Sequence, residues 1–142
     1  MRSLTLAAFL LSAAPALGAS TLIPHAAPEA VASTIIPGML QTQWRLVAES
    51  PHSQTWERAI QGGSGIAASL IGSLVDGPIV NAPIDRVTYT FASSPSGTLV
   101  QSTWFLVMAP GSGIERATAR TAPESEAKMQ AFLDAVKVKL TH

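Results

Sequence analysis

Arg86-Val-Thr-Tyr-Thr-Phe-Ala92, the turn Ser93-Ser-Pro-Ser-Gly97, and Thr98-Leu-Val-Gln-Ser-Thr-Trp-Phe-Leu-Val-Met-Ala109 decide how this chain is read. The first arm alternates, with Val87, Tyr89 and Phe91 on one face and Thr88 and Thr90 on the other. Alternation at period two, carried by β-branched and aromatic residues, marks a half-buried strand. In the turn, Pro95 fixes one φ and Gly97 supplies a positive one. If Ser93 stands opposite Thr98, then Phe91 meets Val100, Tyr89 meets Ser102 and Val87 meets Trp104. That register collects one apolar set on one side of an antiparallel hairpin.

Working outward, Gln43 to Glu49 and Thr55 to Ile60 read as a second hairpin around Ser50-Pro-His-Ser-Gln54. A four-residue loop would put Trp44 and Trp56 on opposite faces. A five-residue loop sets Glu49 against Thr55, Ala48 against Trp56, Leu46 against Arg58 and Trp44 against Ile60, with both Trp on one side. Arg58 then lies on the apolar side and is expected near a sheet edge, its head snorkelling to water. Glu49 and Glu57 are expected together on the polar face as solvated charges.

Two helices flank the hairpins. Pro28 to about Gln41 has Pro in its first turn, Glu29 near the positive end of the dipole, and Val31, Ile35 and Met39 at i, i+4, i+8. Pro37-Gly38 predicts a kink or a stop at Ile36. Thr121-Ala-Pro-Glu124 fits a capping box. Behind it Met129, Phe132, Leu133, Val136 and Leu140 form one apolar stripe, while Glu126, Lys128, Lys137 and Lys139 stay wet. Ile114 to Arg120 reads as a ragged extension of the last strand. Between the hairpins, Gln61 to Asp85 is rich in Gly and Pro, and Ile66, Leu70, Ile71 and Leu74 suggest a short helix. The resulting architecture is α+β: a four-stranded antiparallel sheet with two long helices packed on one face, a two-layer sandwich.

The first residues read as an export signal. Met1-Arg2-Ser3 is short and basic, Leu4 to Leu17 is apolar, and Ala16-Leu17-Gly18 offers small residues for cleavage after Gly18 or Ala19. The run falls short of the ~20 residues that span a bilayer, so no stable membrane anchor is expected after cleavage. Residues 1–18 are thus assigned to a secretory signal peptide, 19–27 to a loose lead-in, and 28–142 to a single domain. The expected location is exported, periplasmic or extracellular. The whole chain carries nine Lys plus Arg and nine Asp plus Glu, so losing Arg2 leaves a net charge of −1. That balance gives no reason to expect nucleic acid as a partner. With no Cys there is no disulfide, thiolate metal site or Cys nucleophile. Stability must come from the apolar core, which 47% hydrophobic content permits.

Chemical motifs are thin. Gly63-Ser-Gly-Ile-Ala-Ala68 matches a dinucleotide-loop pattern with Asp85 downstream. The preceding strand is too polar for a central parallel strand, and no βαβ series follows, so a glycine connector is the better reading. His25, His52 and His142 are scattered without ligand spacing, the carboxylates are dispersed, and there is no Gly-x-Ser-x-Gly elbow. No catalytic residue, cofactor or metal is assigned. The outward face of the sheet is more informative. Thr88, Thr90, Gln101 and Thr103 make it polar, yet Leu99, Phe105 and Val107 share it. Leu106 and Met108 are read as facing the core, so Trp104 to Met108 is apolar on both sides. Such a strand is normally covered twice. Either residues 61–85 fold over it, the favoured reading because large exposed apolar patches are rare on monomers, or a partner does.

Pro83-Ile-Asp-Arg-Val-Thr-Tyr-Thr-Phe, Gly97-Thr-Leu-Val, and Pro110-Gly-Ser-Gly-Ile-Glu-Arg116 with the closing amphipathic helix resemble a pattern in small exported bacterial proteins and lipoproteins of unknown function. Those proteins have an α-ββ-ββ-α layout, and the likeness spans about residues 28–140. It implies the α+β sandwich and transfers no catalytic residues. The chain lacks the lipobox Cys that some of them carry, which implies a free periplasmic form. The expected function is a non-catalytic exported module that binds an envelope protein or assists envelope assembly through the Leu99, Phe105 and Val107 side. The alternative is a carrier of a small apolar molecule or lipid in a cavity between sheet and helices.

Overall fold

The alternation around Tyr89 and Val100 becomes the longest strand pair of the computed structural model, which describes residues 18–60 and 82–142. In chain order the elements are β1 (Ser20–Pro24), α1 (Pro28–Gln41), β2 (Arg45–Ser50), β3 (Ser53–Ala59), β4 (Ile84–Ser94), β5 (Gly97–Met108), β6 (Arg116–Ala119) and α2 (Pro123–Thr141). The fold is α+β, two helices on an antiparallel sheet. Among the described residues the sheet has six strands in the order β1-β5-β4-β3-β2, with β6 also on β5.

The β4–β5 register is the one the alternation predicts. Ser93 pairs Thr98, Phe91 pairs Val100, Tyr89 pairs Ser102 and Val87 pairs Trp104. The two turn residues are Pro95 and Ser96, and Gly97 holds φ at 145°. A Cβ on Gly97 would lie 2.1 Å from the carbonyl oxygen of Ile23. Glycine here therefore serves both the backbone conformation and the close passage of β1.

Four expectations are corrected. The sheet has two more strands than the four expected. Residues 20–24, read as a loose lead-in, form β1 along the first half of β5, and Arg116–Ala119 forms β6 along its second half. β5 is long enough to leave a free edge, and its backbone groups need partners. Ile23 is fully buried by that pairing. The β2–β3 turn is tighter than a five-residue loop. Ser50 pairs Ser53, Ala48 pairs Thr55, Leu46 pairs Trp56 and Arg45 pairs Glu57, with a bulge at Val47. The bulge adds one residue to β2 and restores the parity that the longer loop was invoked to supply. It also separates Glu49, which accepts a hydrogen bond from Gln54 on the helix side, from Glu57 on the opposite face.

The third and fourth corrections concern the helices. α1 runs on through Pro37 to Gln41. The carbonyl that Pro37 cannot serve belongs to exposed Ser33, while Val31, Ile35 and Met39 are buried along one stripe and hold the helix to the sheet. α2 begins at Pro123 with Ala122 as its cap and no side-chain cap bond. Pro123 fixes the first helical position, which shifts Glu124 one place short of the box. Glu124 pairs instead with Lys128 at 2.9 Å. The α2 stripe is as read, with Met129, Leu133 and Val136 buried and Phe132 and Leu140 against the core.

Both helices lie on the face bearing Gln54, Trp56, Tyr89 and Ser102. Gln54 Nε2 donates to the Ala32 carbonyl at 3.3 Å, the Tyr89 hydroxyl to Met39 Sδ at 3.3 Å, and the Ser102 hydroxyl to Met129 Sδ at 3.4 Å. Residues 1–17 and 61–81 lie outside the described residues. So do most of the stretch read as an export signal, the glycine pattern at 63–68 and the short helix read through Ile66, Leu70, Ile71 and Leu74.

Candidate functional site

One end of the helix–sheet interface is left open as a cavity of about 220 Å³. The chain builds it from the end of α1. Gln43 takes φ of 65°, the left-handed conformation that closes many helices. The Trp44 amide then bonds back to the Met39 carbonyl at 3.0 Å. That reversal drops the Trp44 side chain inward, leaving it 7% exposed. Trp104 arrives from β5, and the two rings meet edge to face with centroids 6.0 Å apart. Val87 and Tyr89 from β4 add to the sheet wall. From the helices come Met39, Met129 and Phe132, with Lys128 at the rim.

Gly38 explains the close approach of the helices here. A Cβ at that position would lie 2.7 Å from the Phe132 ring. The absence of a side chain lets Phe132 lie over α1 and still face the cavity. Phe132 also packs on Tyr89, centroids 6.0 Å apart. Burial pushes the Tyr89 hydroxyl far above its usual pKa, so it remains a neutral donor.

A charged cluster closes the sheet side. Arg58, expected at an edge with its head in water, points inward, with its guanidinium 4.2 Å over the Trp44 ring and 6.0 Å from that of Trp104. Arg120 stacks on Trp104 at 5.5 Å. Asp85 is buried; its Oδ1 accepts a hydrogen bond from Arg120 Nε at 2.8 Å and lies 2.8 Å from Arg120 Nη2 as an ion pair. Its other oxygen is 3.8 Å from Arg58. Arg58 and Asp85 are direct cross-strand partners on β3 and β4. Burial, offset in part by Asp85 and deepened by Arg120, holds the Arg58 pKa below its usual value. Sequence reasoning missed this cluster. The signal lay in the inward parity of Arg58 and Asp85, visible only once β3 is paired with β4.

The predicted surface residues do share one face, opposite the helices. Thr88 pairs Thr103, Thr90 pairs Gln101, and Phe105 stands across from Arg86. Their exposure differs. Leu99 is 45% exposed and Thr90 is exposed, while Thr88, Gln101, Thr103 and Phe105 are half-buried. Val107, read on the outward face as covered either by residues 61–85 or by a partner, is fully buried, and Met108, expected in the core, is 42% exposed. α2 lies chiefly against β1, which pairs with the first half of β5, at the other end of that strand from Met108. Beside these residues Arg86 binds Glu57 at 2.6 Å and Glu115 at 2.7 Å. Glu115 also accepts the Gly111 amide at 2.7 Å. The guanidinium and that amide hold the Glu115 carboxyl below its usual pKa.

Among the described residues no three of His, Asp and Glu converge as a metal site, and no helix is long and apolar enough to cross a membrane. No family model, curated protein or solved structure matches the chain.

Proposed function

We propose that the chain is a non-catalytic exported module that holds a small apolar molecule between its helices and its sheet. The observation that carries this reading is the cavity wall: Trp44, Trp104, Tyr89 and Phe132 with the thioethers of Met39 and Met129. Aromatic walls with few polar groups are the usual lining of small-molecule sites. The size narrows the occupant. About 220 Å³ exceeds the ~150 Å³ apolar cavity that admits benzene and falls below the ~300 Å³ lower bound for drug-sized ligands. A body of one or two rings fits, and a lipid does not. Protein purified without detergent should show shifts of the Trp44 and Trp104 indole resonances on addition of phenylacetamide, with fully buried Trp56 unmoved. No shift with any small ring compound removes the reading.

Export is part of the proposal, and Ala19 supports one cleavage position over the other. Its carbonyl accepts both the Ser102 amide at 2.8 Å and the Ser102 hydroxyl at 3.3 Å. Cleavage after Gly18 keeps that pair; cleavage after Ala19 removes it. The exported protein should begin at Ala19 by N-terminal sequencing.

A protein-binding or envelope-assembly role draws support from a different observation. Leu22 and Leu99 pair across β1 and β5 on the outward face, 39% and 45% exposed. Cross-linking in the native envelope should yield a specific partner that Leu99→Asp abolishes at unchanged folding. A cross-link pattern identical in the two proteins excludes this surface.

A further inference from the structure

The cavity is apolar in shape but lopsided in charge. Among its described lining residues two are cationic, Arg58 and Lys128, and none is anionic. The carboxylate that accompanies Arg58 is largely spent elsewhere: Asp85 Oδ1 lies 2.8 Å from both Nε and Nη2 of Arg120, while Oδ2 stays 3.8 Å from Arg58. Among the described residues two guanidinium groups therefore share one buried carboxylate, leaving one positive charge in excess. Lys128 is matched by Glu124 at 2.9 Å and adds little to that excess.

The hydrogen bonds of Arg58 are as incomplete as its charge balance. A guanidinium offers five N–H donors. Arg58 reaches the Thr42 carbonyl at 3.5 Å, the outer limit of such a bond. Its Nε is sealed from water and has no partner among the described residues, and Trp104 Nε1 is in the same position. A buried donor left unmade is costly, and for a charged group more so. A neutral occupant would leave that deficit standing. A cationic one would add to the excess, and the Trp44 face that would receive it is already covered by Arg58. A dianion would exceed the single spare charge.

Building on the cavity reading, we infer that the ligand is a small aromatic monoanion, its ring against Trp44, Trp104 and Phe132 and its carboxylate on Arg58. Arg58 supplies charge-assisted hydrogen bonds, the strong kind, at a point where water is scarce. The aromatic wall sets the size of the body, and the absence of a carboxylate among the described lining residues sets the sign of the head.

The test is a titration of the intact protein with phenylacetate, phenylacetamide and 2-phenylethylamine, followed by indole and Arg58 Nε–H resonances. Phenylacetate should bind at least about tenfold tighter than the amide, as one charge-assisted bond implies, and the amine weakest. Octanoate, equal in charge but linear, separates a fatty acid from a ring acid and should bind more weakly than phenylacetate. Arg58→Gln should erase the preference for the acid while the amide still binds. Should that variant fail to fold, Arg58→Met, which keeps an unbranched stem against Trp44 and leaves Asp85 paired with Arg120, gives the same readout. Equal binding of acid, amide and amine overturns the anion inference and leaves the cavity reading intact. Tighter binding of the amine, or of octanoate, also overturns it. Binding of none of the four removes the cavity reading itself.

Discussion

Arg58 and Arg86 stand on adjacent strands of one sheet and face opposite ways. Arg86, on the outward face, is saturated: Glu57 and Glu115 meet it at 2.6 and 2.7 Å, and its pKa is raised, chiefly by the hydrogen bond to Glu115. Arg58, under the helices, has contacts at 3.5 and 3.8 Å, a bare Nε, and a pKa lowered chiefly by burial. The outward arginine ties the β5–β6 turn, through Glu115 and Gly111, to β3 and β4. The inward one is held mainly by the Trp44 ring. A cation with every nearby carboxylate at bonding distance is part of the scaffold. One that is desolvated and under-bonded beside a cavity is poised for something to bind.

Breaking the inward side should cost most. Asp85→Ala leaves Arg58 and Arg120 facing each other without their buried carboxylate, and removing one partner of such a set costs about 3–5 kcal/mol. Urea unfolding of the variant measures it. A loss below about 1 kcal/mol would mean that water already serves the arginines and that the two faces are alike.

Arg86→Ala should cost less than Asp85→Ala, because Arg86, Glu57 and Glu115 are all partly wet and the pairs are screened. Its distinguishing effect is on pH dependence. The Glu115 pKa is depressed in the folded state. Its contribution is therefore present above the unfolded carboxylate value and lost as pH falls through that value toward the folded one. Denaturant midpoints of the wild type should fall more steeply than those of Glu115→Gln as pH drops from about 5 to about 3. Parallel curves would remove Glu115 from the network. Arg45→Ala is the smallest test. Arg45 is 79% exposed and 3.7 Å from Glu57, so its loss should change stability by less than about 0.5 kcal/mol. A larger change would show that the outward network extends to the sheet edge.

Legibility differed between hairpins for a physical reason. From Ile84 to Val107 the strands pair without a break, so counting residues outward from the turn gives every partner. Between β2 and β3 the extra residue at Val47 shifts the count midway. Alternation reports parity, and a bulge changes parity without changing composition. The buried stripes Val31-Ile35-Met39 and Met129-Leu133-Val136 were readable because helical periodicity is local. β1 was not, since five residues just after the apolar run at 4–17 carry too short a pattern to set against a distant edge. The outward face was recognised as a set, yet which of its members are open was not: Val107 is buried and Leu99 is exposed.

By itself the sequence determined the α+β class, the central hairpin with its register, and the inward stripes of both helices. Each depends on periodicity within a short stretch. Only the tertiary structure decided that Trp44, Arg58 and Trp104 meet around one cavity, with Asp85 and Arg120 against the two latter residues. Those residues come from separate parts of the chain, and their meeting depends on strand order and on one bulge. Neither leaves a periodic mark in any single segment.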